Sequence, residues 1–469
     1  MMVEQIYTGC LAQGAYYIQS GGEAAIIDPL REVSPYINKA EADGVKIKYI
    51  FETHFHADFV SGHITLSEKT GAPIIYGPGA NPSFDAHIAK DDEEFRVGKL
   101  TIKVLHTPGH TMESTTYLLL DENRKEIAIF SGDTLFLGDV GRPDLAQKAD
   151  DMTQEDLAGI LYDSLRNKIM PLPDEILVYP AHGAGSACGK KMMKETVDSL
   201  GNQKKMNYAL RADMTKEEFV REVTEGLLPP PSYFPLNVKM NKEGYESIDK
   251  VLAKGLKPLS PDVLEAMVNE TDALVLDVRS PGNFAAGHIP NSIFIGLDGS
   301  FAPWVGELIK DVQQAIVLVV PDGREEEAVT RLSRVGFDNT QGYLLGGVEA
   351  WENAGKELEN IISNGAEDLM EAYEETKERI FDVRKNSEYL SEHIVGAHNT
   401  PLSSLNDFLS EMPKDDLFYI HCAGGYRSMI AASILKTRGI SNFIDVAGGF
   451  NAIKKTSMPL TEYVCPSTL

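Results

Sequence analysis

The sequence predicts an α/β protein in which a larger N-terminal domain precedes two copies of a smaller α/β domain. Three observations predict it. At 469 residues the chain has room for about three domains. In its first part, short apolar strands repeatedly run into loops that carry histidine or aspartate. In its second part, one block occurs twice. Asp277-Val278-Arg279 and Asp382-Val383-Arg384 start 105 positions apart, and the later Gly346-Gly347 and Gly448-Gly449 turns start 102 apart. That is a tandem duplication of a domain of about a hundred residues. Strands and helices alternate within each copy, so each should form a parallel sheet.

Composition bounds the function. Hydrophobic residues make up 43% of the chain and charged residues 24%, enough apolar material for each domain to bury a core. The 70 acidic residues outnumber the 44 basic ones, leaving a net charge of −26. Such a surface repels phosphate backbones and anionic lipids, which argues against nucleic-acid or membrane partners. The four cysteines, Cys10, Cys188, Cys422 and Cys465, show no paired spacing and fit a reducing compartment. The N-terminus lacks a basic region followed by an apolar core, and no apolar run is long enough for a membrane span. A soluble cytoplasmic protein is expected.

Taken in order, Ala15–Ile18 and Ala24–Ile27 flank Gly21-Gly22 and predict a hairpin. A helix is predicted from Ser34 to Ala42, ending at Asp43-Gly44. Strand Lys48–Phe51 leads into Thr53-His54-Phe55-His56-Ala57-Asp58. Strand Thr101–Leu105 leads to His110, strand Ile127–Phe130 to Asp133, and strand Ile176–Tyr179 to His182. Loops at strand ends, held by a rigid scaffold, are where sites tend to be built. Residues 229–235, PPPSYFP, predict an extended connector.

The four strand ends together suit a small cavity of nitrogen and oxygen ligands. Imidazole with carboxylate fits zinc, iron or manganese, and no cysteine sits among them to favour a soft-metal site. The stretch has the form T-H-x-H-x-D-H, except that Phe59 stands at the last histidine. A benzyl group cannot coordinate, so the stretch lacks one ligand of that form.

In the last copy, strand Leu417–Ile420 runs into His421-Cys422-Ala423-Gly424-Gly425-Tyr426-Arg427-Ser428, followed by an apolar helix from Met429 to Leu435. A cysteine between a strand end and a helix N-terminus sits among backbone N–H groups, which stabilise its thiolate and should lower its pKa. Gly425 lets amides converge on the sulfur, and Arg427 holds the loop or binds an anion. In the middle copy, strand Ile316–Val320 is followed by Pro321-Asp322-Gly323-Arg324 and three glutamates. Aligning Arg324 with Arg427 makes that loop two residues shorter, and the domain has no cysteine. It is expected to be structural or interface-forming, or to bind a different ligand.

The motifs THFHAD, TPGHT, SGDTLF and YPAHG occur in that order, and residues 1–245 resemble the metallo-beta-lactamase superfamily in its glyoxalase-II-like branch. The resemblance implies an αββα sandwich with the site at one edge of the sheets. Within the branch, persulfide dioxygenases hold a single Fe(II) with two histidines and one aspartate, a pattern that maps onto His54, His110 and Asp133. His56, Asp58 and His182 would then orient ligands and water. Gly141-Arg142-Pro143-Asp144 resembles the segment whose arginine binds the carboxylate of the thiol carrier, which assigns Arg142 to substrate binding. Residues 258–357 and 365–465 resemble rhodanese, a sulfurtransferase domain that carries a persulfide on its cysteine. Cys422, Gly425 and Arg427 take the catalytic positions in the second of these, and the first reads as a catalytically inactive pseudo-rhodanese.

The resemblance implies a persulfide dioxygenase–rhodanese fusion. Such an enzyme oxidises a low-molecular-weight thiol persulfide with O2 to the sulfite level at one iron per chain. Cys422 carries sulfane sulfur, and thiosulfate results, a route for sulfide detoxification. By family analogy it is a homo-oligomer. One rival is a glyoxalase-II-type zinc thioester hydrolase fused to a sulfurtransferase, which would hold two metals. Another is a non-catalytic sulfur carrier or interaction module.

Overall fold

The computed structural model describes residues 2–145, 152–227 and 229–465. Two six-stranded sheets make up the N-terminal part. The first runs in chain order through β1 (Met2–Thr8), β2 (Gln13–Ser20), β3 (Glu23–Ile27), β4 (Lys46–Phe51), β5 (Ile74–Tyr76) and β6 (His87–Ile88). The second runs through β7 (Glu94–Val97), β8 (Leu100–His106), β9 (Thr115–Leu120), β10 (Glu126–Gly132), β11 (Leu177–Pro180) and β12 (Asp198–Ser199). The hairpin of β2 and β3 is present, with Tyr17 opposite Ile26. Helix Ser34–Ala42 follows it as expected.

Strand alternation explains the layers. Successive side chains point to opposite faces, and a strand covered on both sides must be apolar on both. Tyr16 and Ile18 of β2 face inward with Val104, Tyr117 and Phe130 of the second sheet. Ala15 and Tyr17 face outward onto Tyr36 and Leu66 of the helical layer. On the far side, Leu118, Leu120 and Ile129 pack with Leu161, Leu200 and Phe219. The result is the αββα sandwich.

Two five-stranded parallel sheets follow. One has strands β13 (Pro258–Leu259), β14 (Leu274–Asp277), β15 (Ile293–Phe294), β16 (Ile316–Val319) and β17 (Thr340–Leu344), in the order β13-β17-β16-β14-β15. The other has β18 (Ser363–Asn364), β19 (Ile380–Asp382), β20 (His398–Asn399), β21 (Phe418–His421) and β22 (Phe443–Val446), in the order β18-β22-β21-β19-β20. The two orders are the same, as duplication requires. Chain packing gives two compact units, Met1–Lys250 with Leu332–Phe337, and Val251–Arg331 with Asp338–Leu469. Both parallel sheets lie in the second unit. Among the described residues, no helix is long and apolar enough to cross a membrane.

Two expectations are corrected. The connector is shorter than 229–235, because Phe234 and Pro235 already begin helix Phe234–Glu243. Proline suits the first helical turn, where its missing N–H has no partner to lose. The middle copy's loop is also only one residue shorter than its counterpart. Val319 lies opposite Asp277 and His421 opposite Asp382, which fixes equivalence by strand register. From those positions Arg324 is five residues on and Arg427 six. Val320 thus takes the place of Cys422.

Candidate metal centre and cysteine loop

The ends of β4, β8 and β10 deliver His54, His110 and Asp133 to one point. Their ligand atoms lie within 4.8 Å of one another, and all three residues are buried. His110 Nε2 is 3.4 Å from Asp133 Oδ2, and His54 Nε2 is 4.0 Å from the same oxygen. Both carboxylate oxygens of Asp133 are buried with no hydrogen-bond partner among the described residues. A buried carboxylate left so is costly unless a cation meets it. The donor set therefore fits a metal ion.

Neighbouring atoms fix the two imidazoles. Thr53 Oγ1 donates to Asp28 Oδ2 at 2.9 Å, so it can only accept from His54 Nδ1–H at 3.0 Å. His110 Nδ1–H donates to the Arg142 carbonyl at 2.8 Å. In both rings the Nε2 lone pair is then turned to the cavity. Burial, with His56, His110 and His182 nearby, holds His54 well below the usual histidine range and keeps it neutral. The carbonyl that orients His110 comes close because residue 141 is glycine. A Cβ there would sit 2.1 Å from the Asp133 carbonyl oxygen.

The adjoining half of the cavity is different. Phe59 is fully buried, and its ring lies 4.3 Å from that of His56. His182 Nε2 is 3.4 Å from Asp58 Oδ2 and 3.6 Å from Asp133 Oδ1. Burial disfavours a charged His182, but Asp58 and Asp133 outweigh it and raise its pKa well above the ordinary value. His56 Nε2 is 3.1 Å from Asp28 Oδ1, beside Glu52. His56, Asp58 and His182 also bring ligand atoms within 4.8 Å of one another, as do Asp133, His182 and Cys188. Cys188 is buried, and burial with Asp58 and Asp133 pushes its thiol up to about 12. It sits here as a thiol, not a thiolate.

The Arg142 backbone adjoins His110, but its side-chain fork is engaged. Nε and Nη2 donate to the two oxygens of Asp144 at 2.6 and 2.7 Å. Its backbone serves His110 and its side chain holds the loop.

Cys422 lies directly after β21, on the buried side of the last domain. The Gly425 N–H donates to its Sγ at 3.1 Å. The helix begins at Tyr426, three residues before the predicted Met429. Arg427 donates to both oxygens of Glu388 at 2.6 and 2.8 Å, so it holds the loop. The Gly-Gly turn lies beneath, where Phe450 N–H donates to the Cys422 carbonyl at 2.7 Å. In the middle copy, Arg324 pairs with Asp298 and Glu327.

Sequence reasoning missed Asp28, Thr53, Glu388 and Tyr426. For Glu388 a signal existed: counting from the duplicated triplets, Asn283 occupies the same place in the middle copy. For Asp28 there was none, because its partner Thr53 lies 25 residues away.

Residues 8–182 match the Metallo-beta-lactamase superfamily, and residues 260–354 and 365–456 each match the Rhodanese-like domain. The chain is similar to human persulfide dioxygenase ETHE1, mitochondrial, with 29% identity over 221 residues, 47% of this chain and 78% of that protein. It is also similar to a hydroxyacylglutathione hydrolase of Rhizobium etli, 36% identical over 168 residues, 35% of this chain and 58% of that one. Among solved structures, a metallo-beta-lactamase from Staphylococcus aureus aligns with a TM-score of 0.64 at 31% identity, covering 73% of this chain and 98% of that one.

Proposed function

Because the chain belongs to the metallo-beta-lactamase superfamily and carries two rhodanese-like domains behind that fold, we propose that it oxidises a thiol persulfide with O2 and passes sulfane sulfur through Cys422. The overall change balances as persulfide, O2 and water giving thiolate, sulfite and two protons. The terminal sulfur loses the four electrons that O2 gains. The Cys422 thiolate takes the outer sulfur of a second persulfide, whose S–S bond breaks and whose thiolate leaves, and the Cys422–S–S⁻ so formed is attacked by sulfite. The S–S bond breaks, thiosulfate leaves and the thiolate returns.

One observation supports this reading: His54, His110 and Asp133 bring ligand atoms within 4.8 Å of one another, while Phe59, at the position where the resemblance expects a further ligand, is buried against His56. The triad would hold one iron. When bound there, a ferrous ion would supply redox chemistry between O2 and a thiolate sulfur. The chain's own groups do the rest. Thr53 and the Arg142 carbonyl orient the two imidazoles. Phe59 excludes water from one wall, and His182 with Asp58 holds a proton beside Asp133. A carboxylate on the thiol carrier would reach Arg142 by competing with Asp144.

The test is metal content after anaerobic purification, with oxygen uptake on adding glutathione persulfide. About one iron per chain with uptake is expected, and His110→Ala should lose both. The zinc hydrolase is the second reading, favoured by the His56, Asp58 and His182 cluster. Two zincs per chain with thioester hydrolysis and no oxygen uptake would establish it instead.

A further inference from the structure

The middle domain lacks the cysteine, yet its loop 296–299 reaches the loop that has one. Tyr426 is the residue between Gly425, the donor to Cys422, and Arg427. Its hydroxyl donates to the Gly296 carbonyl at 2.7 Å. Its ring rests on Gly299, where a Cβ would come within 2.5 Å of ring carbons, and meets Phe294 edge-on at 6.0 Å. On the next turns of the same helix, Ser433 Oγ accepts from Phe294 N–H at 3.0 Å.

The receiving loop is itself fixed. Arg331 donates to the Leu297 carbonyl at 2.7 Å and to the Gly299 carbonyl at 3.3 Å. The Leu297 N–H donates to the Val278 carbonyl at 3.0 Å. The cysteine loop, by contrast, runs through Gly424 and Gly425, and Gly425 sits at φ 97°. Two glycines leave the loop free to move unless its neighbours are held. The Gly-Gly turn and Glu388 hold it from within its own domain. Tyr426 ties it to the other copy.

We propose that the middle domain is a positioning element for sulfur transfer: residues 296–299 seat Tyr426 and so keep the adjacent Gly425 N–H aimed at the Cys422 sulfur. Tyr426 is a positioning residue, acting through Gly425. The duplication would thus have kept a domain without chemistry because the neighbouring loop needs its surface. This rests on the reading of Cys422 as the nucleophile.

The test uses the full chain and follows carbamidomethylation of Cys422 by iodoacetamide from pH 6 to pH 10, with exposed Cys465 as the internal reference. In Tyr426→Phe, which removes only the hydroxyl, the rate at pH 7 should fall about threefold to tenfold as the loop amide drifts from the sulfur. At pH 10 the variant should match the wild type. A purely structural role would lower the melting temperature and leave the shape of this pH profile unchanged. A wild-type profile in Tyr426→Phe overturns the proposal. Gly299→Ala, which unseats the ring but keeps the hydroxyl, decides the matter by the same measurement if the first variant fails to fold. Should wild-type Cys422 react no faster at pH 7 than Cys465, the nucleophile assignment itself fails, separately from the role of the middle domain.

Discussion

The two C-terminal domains share a strand order, an Asp-x-Arg pair and a loop arginine, yet differ at most other positions around that loop. In the last copy, Asp382 lies opposite His421, and Cys422, Gly425, Arg427 and Glu388 surround the sulfur. In the middle copy those places hold Val319, Val320 and Asn283, and Arg324 turns to surface carboxylates instead. Parts that touch one another have been lost together, while parts that hold the sheet have been kept. Packing sets the fold, and the site is a separable set of contacts laid on it.

The largest effect should come from the sulfur itself. Cys422→Ser is expected to lower thiosulfate formation on the order of a hundredfold or more while oxygen uptake continues. Val320→Cys in the middle copy should restore nothing, because neither the Gly425 amide nor the Glu388 pair has a counterpart there. Thiosulfate formation in the double variant Cys422→Ser, Val320→Cys would break the comparison. Glu388→Gln comes next. Arg427 would lose its bidentate partner, and transfer should fall about tenfold with the fold intact. An unchanged rate would remove Glu388 from the site.

Smaller differences concern stability. Asp277 and Asp382 each grip an arginine, yet the duplicated positions titrate in opposite directions. Burial raises Asp277, and Arg279 does not fully offset it. Burial also opposes charge on Asp382, but His421 and Arg384 overcome it and hold the carboxyl below the usual range. The stability from Asp382 is therefore present above its unfolded value, about 3.9, and is lost as pH falls through its lower folded value. For Asp277 the sign reverses, since acid relieves a penalty. Hydrogen exchange at pH 7 and about pH 3 should show β19 and β21 losing more protection than β14 and β16. Equal loss would mean that His421 does not matter. By the same reasoning, Asp382→Asn should cost about 3 kcal/mol in urea unfolding, and Asp277→Asn about 1 kcal/mol. Arg324→Ala, whose ion pairs are partly exposed, should fall within about 0.5 kcal/mol of wild type.

Much of this was legible in the sequence. The hairpin, helix Ser34–Ala42, the strands leading to each candidate ligand and the duplication all follow local periodicity, which is set by the alternating pleat and the helical turn. The triad was legible because each ligand stands just beyond a strand end, where the scaffold leaves little choice of position. What was misread lay at boundaries. From sequence Pro235 reads as connector, because proline both opens helices and breaks them and only its neighbours decide which. The middle loop reads one residue too short in sequence because an alignment on Arg324 carries no strand register.

By itself, then, the sequence determined the order of elements, the repeated domain and the candidate residues His54, His110 and Asp133 that converge. Tertiary structure alone decided the rest: that Asp28 fixes His54 through Thr53, that Asp144 fills the fork of Arg142, and that Tyr426 leaves its own domain for Gly296. The physical reason lies in the range of the interactions. Pleat and helix act over a few residues and imprint a period on the chain. A hydrogen bond between residues 130 positions apart, as from Tyr426 to Gly296, imprints none, and it exists only once packing has brought its two ends together.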